Sequence, residues 1–210
     1  MNSIIQLSDC AEKHLRHYVD PNGTRAFAAY DRQGAPNTFE PVDALAPALL
    51  DAAVRGSIVI EMFGGISEPH LKLRSAIDRL LNETSETTPD FGSLDLNDSG
   101  GKWQLVREIL LCSDEVKGLA ASKVTKMLHR KRPTMVPIFD SKVAAFYDTK
   151  PNHPGRLWPL LQSDLNASID LIASLATGVR TPDDRPISHL RVLDIVIWEH
   201  IVTGCHHRAD

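Results

Sequence analysis

KGLAASKVTKMLHRKRPTMVPIFDSKV, residues 117–143, is the stretch that decides how this chain is read. Its first part holds Lys117, Lys123, Lys126, Arg130, Lys131 and Arg132 and no acidic residue, a local charge of +6. Its second part is a connection bracketed by Pro133 and Pro137 that leads into Asp140, a residue type suited to capping a new helix. Phosphate binding needs dense local charge of this kind rather than a basic average.

Working outward, the flanking sequence is helical. Pro41 suits a first turn and opens a pattern with Val42, Leu45, Leu49, Leu50 and Ala53 on one face. Ile66-Ser67-Glu68-Pro69 starts a second helix, with Leu73, Ile77, Leu80 and Leu81 at helical spacing. Residues 82–101 are rich in Thr, Ser, Asp and Gly and read as an exposed loop. Trp103, Val106, Ile109 and Leu110 mark another amphipathic helix. Ser188 caps a last one, with Leu190, Leu193, Ile197 and Ile201 on a shared face. Ser57 to Phe63 is β-branched enough for a strand, but its helical neighbours outweigh it. The expected fold is all-α, one compact helical domain over residues 1–210.

Composition sets the outer limits. The 210 residues are 42% hydrophobic and 24% charged, with 12 Gly, 13 Pro and 3 Cys, which excludes collagen-like, disordered and disulfide-stapled chains. The net charge is -4, so the chain outside the basic run carries -10. A protein that coats nucleic acid with its whole surface is thereby excluded. The first residues show neither a basic n-region nor an apolar h-region, and no apolar run approaches the ~18 residues a membrane helix needs. A cytoplasmic protein with no membrane partner is expected. Cys10, Cys112 and Cys205, odd in number and far apart, read as free thiols outside any paired metal-ligand spacing.

The central stretch resembles the helix-hairpin-helix superfamily of base-excision DNA glycosylases, over about residues 103–147. Gly118-Leu119-Ala120 stands where that family has a Gly-hydrophobic-Gly hairpin, and residues 121–128 stand where it has the second hairpin helix. Val136-Pro137-Ile138-Phe139-Asp140-Ser141-Lys142-Val143 is similar to its Val-Pro-Val-Asp-Thr-His-Val, with one extra residue before the Asp. The resemblance implies a helical glycosylase-like fold that binds DNA and extrudes the target nucleotide into a pocket. It implies Asp140 as the carboxylate that stabilises positive charge developing on the sugar and helps activate water, with Lys142 as its neighbour. Backbone around Gly118, with Lys117, Lys123, Lys126, Arg130 and Arg132, would hold phosphate. Trp103, Phe139, Tyr147 and Trp158 are candidates for a stacking wall, although each also suits the core.

The departures from the family are specific. Ala120 replaces the second hairpin glycine, and Lys142 replaces the usual His. Ile109-Leu110-Leu111-Cys112 contains no Lys where bifunctional members carry a Schiff-base amine, so lyase chemistry is not expected. With three cysteines, no four-Cys iron–sulfur loop can form. A second, broader resemblance, carried by residues 41–45, by the Arg-Pro to Asp-Ser run and by Leu190 to Asp194 with Trp198, is to an uncharacterised actinobacterial family. It brings no activity with it.

Other clusters carry less. Cys205 with His206 and His207, and Cys10 with His14 and His17, are local ligand sets too small for a metal site, and neither a metal nor a cofactor is expected. Asp43 and Asp51 look like exposed helix residues. Arg191 and Asp194, three apart, read as an intrahelical ion pair. Neither a phosphate-binding loop accompanies Gly64-Gly65 nor a Ser-centred nucleophile elbow appears. The leading expectation is therefore a monofunctional N-glycosidic hydrolase of modified or damaged bases in DNA. The alternatives are a non-catalytic hairpin module that binds nucleic acid, and an enzyme of the same fold acting on a nucleoside-like small molecule.

Overall fold

The computed structural model describes residues 2–150 and 154–205. These are 62% helical, in 11 α-helices and three short 3-10 helices, and among the described residues there is no strand, only an isolated bridge between Arg180 and Pro186. The chain divides into two compact units. A terminal unit takes residues 1–28 and 139–210, and an inner unit takes residues 29–138. A single turn, α2 (Phe27–Tyr30), lies where the chain passes from the first to the second.

The inner unit holds α3 (Pro41–Leu45), α4 (Gly56–Gly64), α5 (Glu68–Glu83), α6 (Trp103–Asp114) and α7 (Ala121–Lys131). The ambiguous β-branched run is α4, because Ile58, Val59 and Met62 bury one helical face while Gly65, at φ 72°, ends the helix in the left-handed region. Leu73, Ile77, Leu80 and Leu81 form the buried face of α5, as their spacing predicts. The pattern opened by Pro41 comes out differently. α3 stops at Leu45, a 3-10 turn follows over Ala46–Leu50, and Val42, Leu45 and Leu49 are exposed. The side chains turned inward there are Asp43, Ala44 and Ala46, so Asp43 is buried and not the exposed residue expected. Asp51, at φ 55°, ends that turn and belongs to no helix.

The terminal unit holds α1 (Ser8–Val19), α8 (Ser141–Phe146), α9 (Pro154–Ala167), α10 (Ile169–Ala176) and α11 (His189–Thr203). Ser188 caps α11 by accepting from the Arg191 N–H, and Leu190, Leu193 and Ile197 are buried, while Ile201 lies outside the core. Arg191 pairs with Asp194 and also donates to the Tyr18 hydroxyl at 3.1 Å. Asp164 on α9 is a buried carboxylate satisfied by neutral donors, namely the Ser3 hydroxyl, the Ile4 N–H at 3.0 Å, the Tyr147 hydroxyl at 2.7 Å and the Ser168 hydroxyl at 3.1 Å. No helix among the described residues is long and apolar enough to cross a membrane.

Candidate functional site

The hairpin between α6 and α7 is built by one special backbone position. Gly118 sits at φ +92°, a conformation that costs a residue with a Cβ and costs glycine little. Leu119 turns into the core, and the Leu119 N–H donates to the Val116 carbonyl at 3.0 Å. Ala120 then adopts φ -86° and ψ 165° as the N-cap of α7. Because that position is extended rather than left-handed, the family's second glycine is not required there. Lys117 is exposed, and the Lys123 ammonium reaches back to donate to the Gly118 carbonyl at 2.8 Å. The first turn of α7 leaves backbone N–H groups without intrahelical acceptors, as every helix start does.

The rest of the basic run points inward, which corrects the picture of one continuous surface patch. Lys126, Arg130, Lys131 and Arg132 are all buried. Lys126 donates to the Leu50 carbonyl at 2.9 Å. Arg130 donates to the Tyr30 carbonyl at 2.7 Å and to Asp43 at 3.3 Å, while the Lys131 ammonium lies 2.8 Å from Asp43 and donates to the carbonyls of Gln33 and Ala35. Asp43 also accepts the Glu40 N–H, so one carboxylate holds two buried cations. Arg132 has a relative exposure of 0% and donates to the carbonyls of Pro36, Lys131, Leu81 and Thr84 and to the side chains of Asn37 and Thr84. Desolvation lowers the pKa of Arg132, against the opposing pull of Glu86. The cause is long-range: residues 31–40 are irregular, their carbonyls have no helical donors, and α7 supplies donors as charged side chains.

In the terminal unit, Asp140 is the N-cap of α8 and accepts the Lys142 N–H at 2.9 Å, with its side chain partly exposed. Lys142 is exposed. The four aromatic candidates are core residues, Trp103 in the inner unit and Phe139, Tyr147 and Trp158 in the terminal unit, each buried. Burial and the neighbouring Asp164 charge push the Tyr147 phenol far above its ordinary range, so it serves as a neutral donor. None of the four offers an open stacking face.

A different constellation comes together in the terminal unit. Cys10 and Cys205, read as separate free thiols, are joined at disulfide-bonding distance with Cα atoms 5.8 Å apart, and Cys112 alone is free. His14 Nε2 lies 3.7 Å and His200 Nδ1 3.1 Å from the Cys205 sulfur. The ligand atoms of all four residues lie within 4.8 Å of one another. Burial, with His200 nearby, lowers the pKa of His14, and burial lowers that of His200, so both rings are held neutral. His17, the other candidate on α1, instead pairs with Glu199 at 3.1 Å. His206 and His207 lie outside the described residues. His200 escaped the sequence reading because its partners on α1 are nearly the whole chain away. The available signals were Cys10 and His14 four apart on a helix, and His200 five before Cys205.

Residues 11–201 match a family described as being of unknown function, DUF6308. Its description carries neither a helix-hairpin-helix nor a glycosylase designation. No curated protein and no solved structure matches the chain.

Proposed function

The chain belongs to the DUF6308 family, and since that family's description states no activity, we propose a function from the residues themselves. The protein acts on nucleic acid through its hairpin and hydrolyses the N-glycosidic bond of a modified or damaged base, without lyase chemistry. The observation that carries this reading is Gly118 at φ +92° between α6 and α7, delivering a helix start flanked by Lys117 and Lys123. Helix N-termini and hairpin amides bind phosphate by dipole and by direct donation. The phosphate contact in this reading is restricted to Lys117, Gly118 and Lys123, because Lys126, Arg130 and Arg132 are committed to interior acceptors.

Asp140 supplies the chemistry in this proposal. A carboxylate that accepts a backbone N–H as a helix cap is held in one orientation. It stabilises the cationic sugar as the base departs, and it accepts a proton from the water that attacks C1′. The bond to the base breaks with its electron pair leaving on the base, which takes a proton from solvent, a bond to the water oxygen forms, and an abasic sugar remains. Lys142 beside it contributes positive charge near the leaving base.

The burial of most of the basic run favours, as second reading, a nucleoside-like small ligand over an extended duplex. Base release from oligonucleotides carrying modified bases separates the readings. Asp140→Asn is expected to abolish release while leaving DNA affinity intact. Full activity in that variant sinks the mechanism. Salt-sensitive duplex binding with no abasic product from any substrate points to the non-catalytic module, and turnover of free nucleosides without duplex affinity points to the second reading.

A further inference from the structure

The thiol–imidazole cluster is not used by the nucleic-acid reading, and its chemistry is of another kind. We propose that Cys10, His14, His200 and Cys205 form a Cys2His2 zinc site in the dithiol form of the protein, closing α1 onto the C-terminal end of α11. Two thiolates and two neutral imidazoles are a donor set that suits Zn2+ and a closed, four-coordinate structural site.

The backbone reason is visible in both helices. Cys10 and His14 are one helical turn apart, so both project from the same face of α1. At the other end α11 stops at Thr203, and Gly204 at φ +70° turns the chain so that Cys205 returns beside His200. Zinc–sulfur bonds of about 2.3 Å and zinc–nitrogen bonds of about 2.0 Å place tetrahedral donors roughly 3.3–3.8 Å apart. The two imidazole nitrogens already stand 3.1 and 3.7 Å from the Cys205 sulfur, and no pair of ligand atoms exceeds 4.8 Å. The sulfurs must part from bonded contact to separate ligand positions, and any pair near the 4.8 Å limit must close to tetrahedral spacing.

A disulfide gives those imidazoles nothing comparable. Its sulfurs are weak acceptors, and it needs only Cys10 and Cys205. His14 is nonetheless buried facing them, and the His200 ring packs perpendicular to Phe146, with centroids 6.1 Å apart. With zinc, two thiolate charges and the dication cancel, so the buried site is neutral and every donor atom is satisfied. Loading the dithiol form releases both thiol protons to the buffer.

The experiment uses the full chain. A phosphine reductant opens any Cys10–Cys205 bond to two thiols, the phosphine becoming its oxide with oxygen from water. After anaerobic exchange, the chain is titrated with Co2+ and then with Zn2+. One equivalent of cobalt is expected, with the visible bands of tetrahedral coordination and a thiolate charge-transfer band that zinc bleaches. Cys205→Ser and His200→Ala should each weaken zinc binding by more than about a hundredfold. Both residues are only half-buried, so these variants spare the core. Zinc should raise the Tm of the reduced wild type and of a His206→Ala/His207→Ala control equally. Three results overturn the proposal: reduced wild type that takes up no more cobalt than Cys205→Ser, metal uptake that survives in His200→Ala, or uptake that disappears in the tail control.

Discussion

Lys117 and Lys123 stand at one end of a basic stretch whose other end carries Lys126, Arg130, Lys131 and Arg132, and the two ends use the same charge in opposite ways. The first pair sits around a helix start, partly or fully exposed, with an ammonium closing the hairpin turn. The second set is buried and bonded to carbonyls and to Asp43. Charge density along a chain is thus no measure of charge density on its surface. What decides is which acceptors the fold brings near, and the irregular segment from Gln33 to Asn37 presents three carbonyls and the Asn37 side chain to Lys131 and Arg132. The inner unit obtains by cations what the terminal unit obtains around Asp164 by hydroxyls and an N–H.

The contrast can be broken most forcefully at Asp43. Asp43→Ala leaves Arg130 and Lys131 buried without their carboxylate and should cost roughly 3–5 kcal/mol in urea unfolding. A cost near zero would show that the inner end is solvated after all. Arg132→Lys comes next, at about 2–3 kcal/mol, because an ammonium has three donors and lacks the planar fork that serves acceptors on two separate segments, around Pro36 and from Leu81 to Thr84. Both variants should leave the salt dependence of DNA binding unchanged.

The outer end should respond in the reverse manner. Gly118→Ala is expected to lose about 1–2 kcal/mol, all of it from the left-handed backbone, since an added Cβ would meet Ile58 at an ordinary 3.8 Å. A neutral effect would mean that the turn relaxes, which circular dichroism melts would reveal. Lys117→Gln with Lys123→Gln is the smallest perturbation of stability, within about 0.5 kcal/mol. If those lysines contact phosphate, the slope of log affinity against log salt should fall by roughly 2. An unchanged slope would remove the remaining electrostatic support for a nucleic-acid partner.

Helices with one strong periodic face were legible in the sequence. α5 could be read from Leu73, Ile77, Leu80 and Leu81, because burial and helical period are the same signal there. α11, by contrast, was legible from its Ser188 cap and apolar content, although residues 190–197 are buried all round. The region after Pro41 was not, since its buried face contains Asp43, a polar residue whose partners lie on α7. Arg132 posed the same difficulty: long-range acceptors turned a residue type that is normally exposed into a core residue. Asp140 as a helix cap was readable, because a capping bond is local. The cluster around Cys10 was not, because its two halves meet only in the folded terminal unit.

That unit is assembled from residues 1–28 and 139–210, with the inner unit as an uninterrupted segment between them. On the ribosome the order of emergence matters. The inner unit is complete in one passage and can condense as soon as it clears the exit tunnel. The first helix, with Cys10, Ala11, Leu15 and Tyr18 on its apolar side, packs on α11 and must instead wait until residue 203 is made, roughly 9–37 s at ordinary elongation rates. Until then its apolar side lacks the helices that cover it in the folded unit. The last helix of the unit, not the first, sets the moment at which α1 finds its place.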